Sequence, residues 1–221
     1  MMMKITSPAS GASCSGNQVI TATMLNPAMA TNVDFMANGE IFDTVTPGLV
    51  MTAQLHTLSR GLSNGPLTIT VQSTGNVFTA SETININNQR SIYVEDANGS
   101  VGSYVPVMVK LHNFTNAAKC QFSLTYDHNK LQLDPDSVTK GSGIPATSTL
   151  DSSPSTGILT VTISGSTKFV GGDLMVAHFQ IRTPSAHGAK NAIGITAVSV
   201  KDTADTLLLP AVGVPGLVTT N

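Results

Sequence analysis

The sequence predicts an all-β protein built as two β-sandwich domains, and three observations carry that prediction. Hydrophobic residues make up 41% of the chain and charged residues only 11%, against about 25% charged in ordinary soluble domains. Polarity therefore comes from Thr, Ser, Asn and Gly, while Val, Ile and Thr supply residues suited to a pleated, half-buried surface. No long segment has a helical period. Short alternating runs instead recur roughly every 10 to 15 residues with Gly, Asn, Ser or Pro between them, the rhythm of a sandwich. Finally, 221 residues are enough for two domains that bury their own cores.

The first block runs from Lys4 to Asn87. Its predicted strands are Gln18–Leu25, Thr31–Asn38, Glu40–Val45, Leu49–Leu55, Pro66–Ser73 and Val77–Ile86. "ANGE" (Ala37–Glu40) is an Asn-Gly hairpin turn, the strongest short-range hairpin signal, and "SNGP" (Ser63–Pro66) is a second turn. Leu67, Ile69 and Val71 alternate with Thr68, Thr70 and Gln72, which gives the strand one buried face. Three stretches of this block, "ITSPASG", "VDFMANGEIF" and "LSNGPLTITVQSTGN", resemble a bacterial immunoglobulin-like domain. The resemblance implies an immunoglobulin-like sandwich, without the Cys-Trp-Cys core signature, since the chain has no Trp. The polar "NNQRS" (Asn87–Ser91) marks the boundary, placing the domains at residues 1–88 and 89–221.

The second block alternates more cleanly. "YVPVMVKL" (Tyr104–Leu111) puts Val105, Val107, Val109 and Leu111 on one face. "KCQFSLTY" (Lys119–Tyr126) turns Cys120, Phe122, Leu124 and Tyr126 inward and Lys119, Gln121, Ser123 and Thr125 outward. "GILTVTIS" (Gly157–Ser164) buries Leu159, Val161 and Ile163, leaving Thr160 and Thr162 outward. "GDLMVAHFQIR" (Gly172–Arg182) buries Met175, Ala177, Phe179 and Ile181, with His178 on the opposite parity. In "AIGITAVSV" (Ala192–Val200) the apolar phase slips from Ile193 and Ile195 to Val198 and Val200, and a one-residue slip predicts a β-bulge. "TLLLPAVGV" (Thr206–Val214) is the predicted last strand, interrupted by Pro210 and therefore at an edge or bent.

Taken in order, "VPVMVKLHN", "CQFSLTYDHNKLQL", "VTISGS", "GGDLMVAHFQI" and "GITAVSVKDT" resemble a cohesin domain. The resemblance implies a jelly-roll sandwich of about nine strands and a non-catalytic role: holding a dockerin module, so that extracellular enzymes or surface proteins are gathered on a scaffold. It further implies that the outward side of Lys119–Tyr126 and its neighbours forms the partner surface. The candidate partner-binding residues are therefore Lys119, Gln121, Ser123, Thr125, Thr160 and Thr162. Enzyme-scaffold cohesins typically place an Asn and an Asp here to accept bonds from dockerin hydroxyls. This chain has Lys119, Cys120 and Gln121 instead, so a carboxylate acceptor is expected to be missing. An ionised acceptor makes hydrogen bonds roughly twice as strong as a neutral one, and the usual enzyme-borne dockerin is not the expected partner.

Other functions find less support. The 11 basic and 13 acidic residues are thinly spread, for a net charge of −2, so nucleic acid is not an expected partner. No basic amphipathic segment and no apolar run of about 20 residues points to a membrane. His56, His112, His128, His178 and His187 form no zinc spacing, no G-x-S-x-G elbow is present, and no motif requires a cofactor. "YDHN" (Tyr126–Asn129) is expected to be a strand-ending turn. "EDANGS" (Glu95–Ser100) and "DPDS" (Asp134–Ser137) offer oxygens to calcium, but lack the EF-hand pattern, and a plain Asn-Gly turn accounts for the first. A polysaccharide partner stays open through loops, although aromatics are only 5% and Tyr93 and Tyr104 are the expected exposed rings. Cys14 and Cys120 fall in different predicted domains, so an intradomain disulfide is not expected; Cys120 reads as a core residue and Cys14 as exposed in a turn. The start "MMMKITSPASG" has no signal-peptide pattern; the chain is expected to be part of a larger secreted or cell-surface protein or to carry its export signal elsewhere, with an intracellular start as the alternative. A carbohydrate-binding or adhesin module, and a structural subunit of a surface layer, filament or phage particle, are the alternatives.

Overall fold

In a computed structural model of the chain, the described residues are 3–76, 78–182 and 187–221. They form strands and two short 3-10 turns, with no α-helix among them and none long and apolar enough to cross a membrane. Contacts divide the chain into a compact unit ending at Asn88 and a second beginning at Gln89.

The first unit contains β1 (Met3–Ser7), β2 (Ser13–Cys14), β3 (Asn17–Met24), β4 (Val33–Ala37), β5 (Glu40–Val45), β6 (Val50–His56), β7 (Gly65–Ser73) and β8 (Thr79–Ile86). One sheet has the order β1-β3-β6 and the other β2-β8-β7-β4-β5. Their apolar faces supply one core, in which Ile20, Val33, Phe35, Leu55, Ile69, Val71 and Ile84 are fully buried. The Asn-Gly hairpin joins β4 to β5 with positive φ at both Asn38 and Gly39, which matches the strand twist. Val77, the first residue of the last strand predicted for this block, lies outside the described residues. The unit closes on Asn88, whose side-chain oxygen accepts from the Thr57 hydroxyl (2.6 Å) and the Gly16 amide (3.2 Å) while its amide nitrogen donates to the Leu62 carbonyl. A buried amide satisfied in this way fixes the chain where the unit ends.

Cys14 departs from its expected exposure: it is only 3% exposed. The two-residue β2 pairs in parallel with the end of β8, and this carries the thiol into the core. Both cysteines are buried and free. Burial raises the Cys14 thiol and pushes Cys120 up to about 12. Since only the thiolate reacts, neither cysteine should be alkylated by iodoacetamide at about pH 8 in the folded protein, and both should label in guanidinium. Rapid labelling of the folded chain at Cys120, read by mass spectrometry, would contradict this burial.

The second unit contains β9 (Ser91–Val94), β10 (Ala97–Gly99), β11 (Tyr104–His112), β12 (Lys119–Tyr126), β13 (Leu131–Lys140), β14 (Thr149–Ser155), β15 (Ile158–Ser164), β16 (Asp173–Ile181), β17 (Lys190–Lys201), β18 (Val212–Val214) and β19 (Gly216–Thr220). A five-stranded sheet has the order β13-β16-β11-β9-β18 and a six-stranded sheet the order β10-β19-β17-β12-β15-β14. From β11 to β17 the chain passes repeatedly from one sheet to the other, which is how a jelly roll winds. The nine strands expected are exceeded by the two three-residue segments β10 and β18. The core lies between the sheets, and Phe122, Leu124, Leu159, Val161, Ala177 and Phe179 are fully buried in it. Tyr126 is half-buried, its ring edge-on to Phe179 at 5.0 Å.

Two segments of this unit pair differently from the sequence prediction. "TLLLPAVGV" is not one strand: Leu207 makes an isolated bridge to Lys201, the short β18 follows, and the last strand is β19. Gly213 and Gly216 permit that close packing, since a Cβ would lie 2.5 Å from the Ile195 carbonyl oxygen and 2.6 Å from that of Val94 respectively. "EDANGS" is not a hairpin turn either, because Ala97–Gly99 pairs in parallel with Val218–Thr220. The Glu95 carboxylate is bound to Lys110 at 2.7 Å, and Asp96 accepts the Leu217 amide.

Candidate functional site

The site is built on β12. Its alternation buries Cys120, Phe122 and Leu124 and turns Lys119, Gln121, Ser123 and Thr125 out. The neighbour on one side is β15, in a register that sets Thr162 opposite Gln121 and Thr160 opposite Ser123. All six residues therefore lie on one outward sheet face. Beyond β15, the edge strand β14 adds Asp151 opposite Thr162 and Ser153 opposite Thr160. On the other side β17 sets Lys201 opposite Lys119, Ser199 opposite Gln121 and Thr196 opposite Ser123. The register slips between Gln121 and Ser123. This is the bulge that the phase slip predicted, with Ala197 held at φ +53°.

The central rows of the face carry hydroxyls and one amide. Ser123 and Thr160 share a hydrogen bond of 3.1 Å, so their oxygens are ordered across the β12–β15 seam. Gln121 is exposed. Gly194, opposite Thr125, leaves room for that hydroxyl, since a Cβ there would stand 2.5 Å from it. Such a surface offers packing area and neutral hydrogen-bonding groups rather than a strong field.

Charge is concentrated at the Lys119 end. The expected absence of a carboxylate holds for β12 itself but not for the face. Asp205, from the loop after β17, places Oδ2 2.8 Å from the Lys119 ammonium and Oδ1 3.9 Å from that of Lys201. The hydrogen bond from Lys119, and then the charges of Lys119 and Lys201, hold the Asp205 carboxyl below the usual carboxylate range. The loop is fixed by Asp202, whose carboxylate accepts the Ala204 and Thr206 amides. Its "KDTADT" sequence is a recognisable Asx-type turn, but nothing local shows that Asp205 reaches a lysine 86 residues away.

The remaining candidates serve the fold. Asp127 caps its turn by accepting the Asn129 amide, and that bond with the nearby Lys130 lowers its pKa. Asp134 accepts the Asp136 amide, while Ser137 donates to the Asp134 carbonyl. No cluster of three His, Cys, Asp or Glu able to hold a metal occurs among the described residues. Tyr104 is exposed, as expected, whereas Tyr93 is half-buried.

Comparison with known proteins gives a consistent result. Residues 91–219 match the Cohesin domain family. Among solved structures, the sixth cohesin of Acetivibrio cellulolyticus scaffoldin B, in complex with a Cel5 dockerin mutant, is 24% identical over 60% of this chain and 99% of its own, with a TM-score of 0.53. A non-cellulosomal cohesin from the archaeon Archaeoglobus fulgidus is 20% identical over 60% of this chain and 91% of its own, with a TM-score of 0.52. The seventh ScaB type I cohesin from Pseudobacteroides cellulosolvens is 19% identical, over 60% and 92%, with a TM-score of 0.52. At these identities the likeness is one of fold. No curated protein matches the chain.

Proposed function

The chain belongs to the cohesin family through residues 91–219, and on that premise we propose that its six-stranded sheet captures a dockerin-like protein module. The observation that carries this reading is the gathering of Lys119, Gln121, Ser123, Thr125, Thr160 and Thr162 on one outward face. The complex of the scaffoldin B cohesin with a dockerin supports the choice of partner. The role is non-catalytic, in an extracellular scaffold or surface protein. The unit of residues 1–88, a pair of sheets around its own core, is read as an immunoglobulin-like spacer, and residues 89–221 as the cohesin domain. Binding proceeds by packing a partner element on a preformed sheet, with hydroxyl and amide hydrogen bonds supplying orientation.

The test is a pull-down with the full chain from the secreted and surface proteins of its source, run with calcium and with chelator. Dockerins generally need calcium to fold, so capture depends on it. A dockerin retained in calcium and lost on chelation is the expected result. Retention of nothing under either condition would contradict protein capture and return attention to glycans and self-assembly.

A further inference from the structure

Lys119 and Lys201 are directly paired across β12 and β17, and like charges placed opposite one another repel. Among the described residues Asp205 is the anion paired with both, and it holds them unequally. Lys119 receives a 2.8 Å bond, whereas Lys201 stands 3.9 Å away with its side chain 44% exposed. Other carboxylates do not complete the balance. Asp202 faces the amides of its own loop, and Asp151 sits on β14, two strands from β12, roughly 10 Å away by strand spacing. The three charged groups line a depression of about 300 Å³ together with Gln121, Thr162 and Ser199. Two cations and one anion leave a net positive charge over hydrogen-bonding groups. A further carboxylate would find there an ammonium held only at 3.9 Å by Asp205, and neutral donors.

We infer that this depression seats a carboxylate side chain of the protein partner against Lys201 and Gln121, with Asp205 occupying part of the same cationic ground when the partner is absent. The inference rests on the partner-capture reading and makes it specific: the docking element presents an acidic residue, not only a hydroxyl. The two possibilities differ in sign at Asp205. A hydroxyl donor would use the Asp205 carboxylate as acceptor and bind more weakly to Asp205→Asn. An acidic partner is repelled by that carboxylate and binds Asp205→Asn more tightly. Asn tolerates the φ of +64° at this position, so the substitution leaves the loop intact.

The experiment is a calorimetric double-mutant cycle on the full chain. The probe is a calcium-loaded dockerin from the same source, with each exposed Asp and Glu of its docking helices changed in turn to Asn or Gln. One such change is expected to weaken binding to the unsubstituted chain by about tenfold, as for a charge-assisted hydrogen bond, and to have no effect on Lys201→Gln. Asp205→Asn is expected to tighten binding several-fold, and the coupling to shrink as salt rises. Binding that is indifferent to every partner carboxylate, or weakened by Asp205→Asn, would overturn the inference while leaving partner capture standing. Failure of any dockerin to bind would overturn both.

Discussion

Replacing Gln121 and Thr160 together with arginine should abolish dockerin capture while leaving the fold in place. The two positions lie on neighbouring strands, β12 and β15, in adjacent rows of the face. Two long cations there would stand where the partner backbone must approach. Hot-spot positions near the centre of an interface cost about 2 kcal/mol or more each, and here the bulk of two arginine side chains holds the partner off the sheet whatever charge it carries. Together they predict a loss of at least about a hundredfold in affinity. Both side chains point away from the core, so thermal unfolding should move by only a few degrees. The discriminating observation is the pair of results: normal unfolding with lost binding. Unchanged affinity would show that this face is not where the partner sits.

One residue further along the same strand, the effect should reverse. Phe122 is fully buried between the sheets of the second unit. Phe122→Ala removes the ring and leaves a cavity, at a cost of about 3 to 5 kcal/mol. Against a total stability of roughly 5 to 15 kcal/mol, that is enough to lower the midpoint of thermal or urea unfolding substantially, and binding would fall only because less protein is folded. A measured cost below about 1 kcal/mol would mean that the strand does not bury this parity. Gln121 and Phe122 thus separate recognition from stability within two adjacent positions of one strand.

Strands with one clean apolar parity could be read directly from the sequence. Leu159, Val161 and Ile163 on β15, and Met175, Ala177, Phe179 and Ile181 on β16, are buried as the alternation requires. The bulge in β17 was legible for the same reason, because a slip of one residue must bring Val198 and Val200 back to the core side. The short segments were not. β2 and β18 are held by pairing with distant strands, and β14, "TLDSSPS", offers only Leu150 toward the core. Cys14 was misplaced on this account: two residues cannot show a period, and the partner that buries them lies about 70 positions on. The face was similarly half legible. Alternation selects the outward residues of each strand, but the approach of Asp205 to Lys119 is set by a loop returning from β17.

The claim that one sheet face does the binding is tested most directly by amide hydrogen exchange on the full chain, with and without a saturating calcium-loaded dockerin. New protection is expected to concentrate in β12, β15 and β17 and in the loop carrying Asp205, with the five-stranded sheet β13-β16-β11-β9-β18 unchanged. Protection confined to that opposite sheet, or to residues 1–88, would contradict that claim.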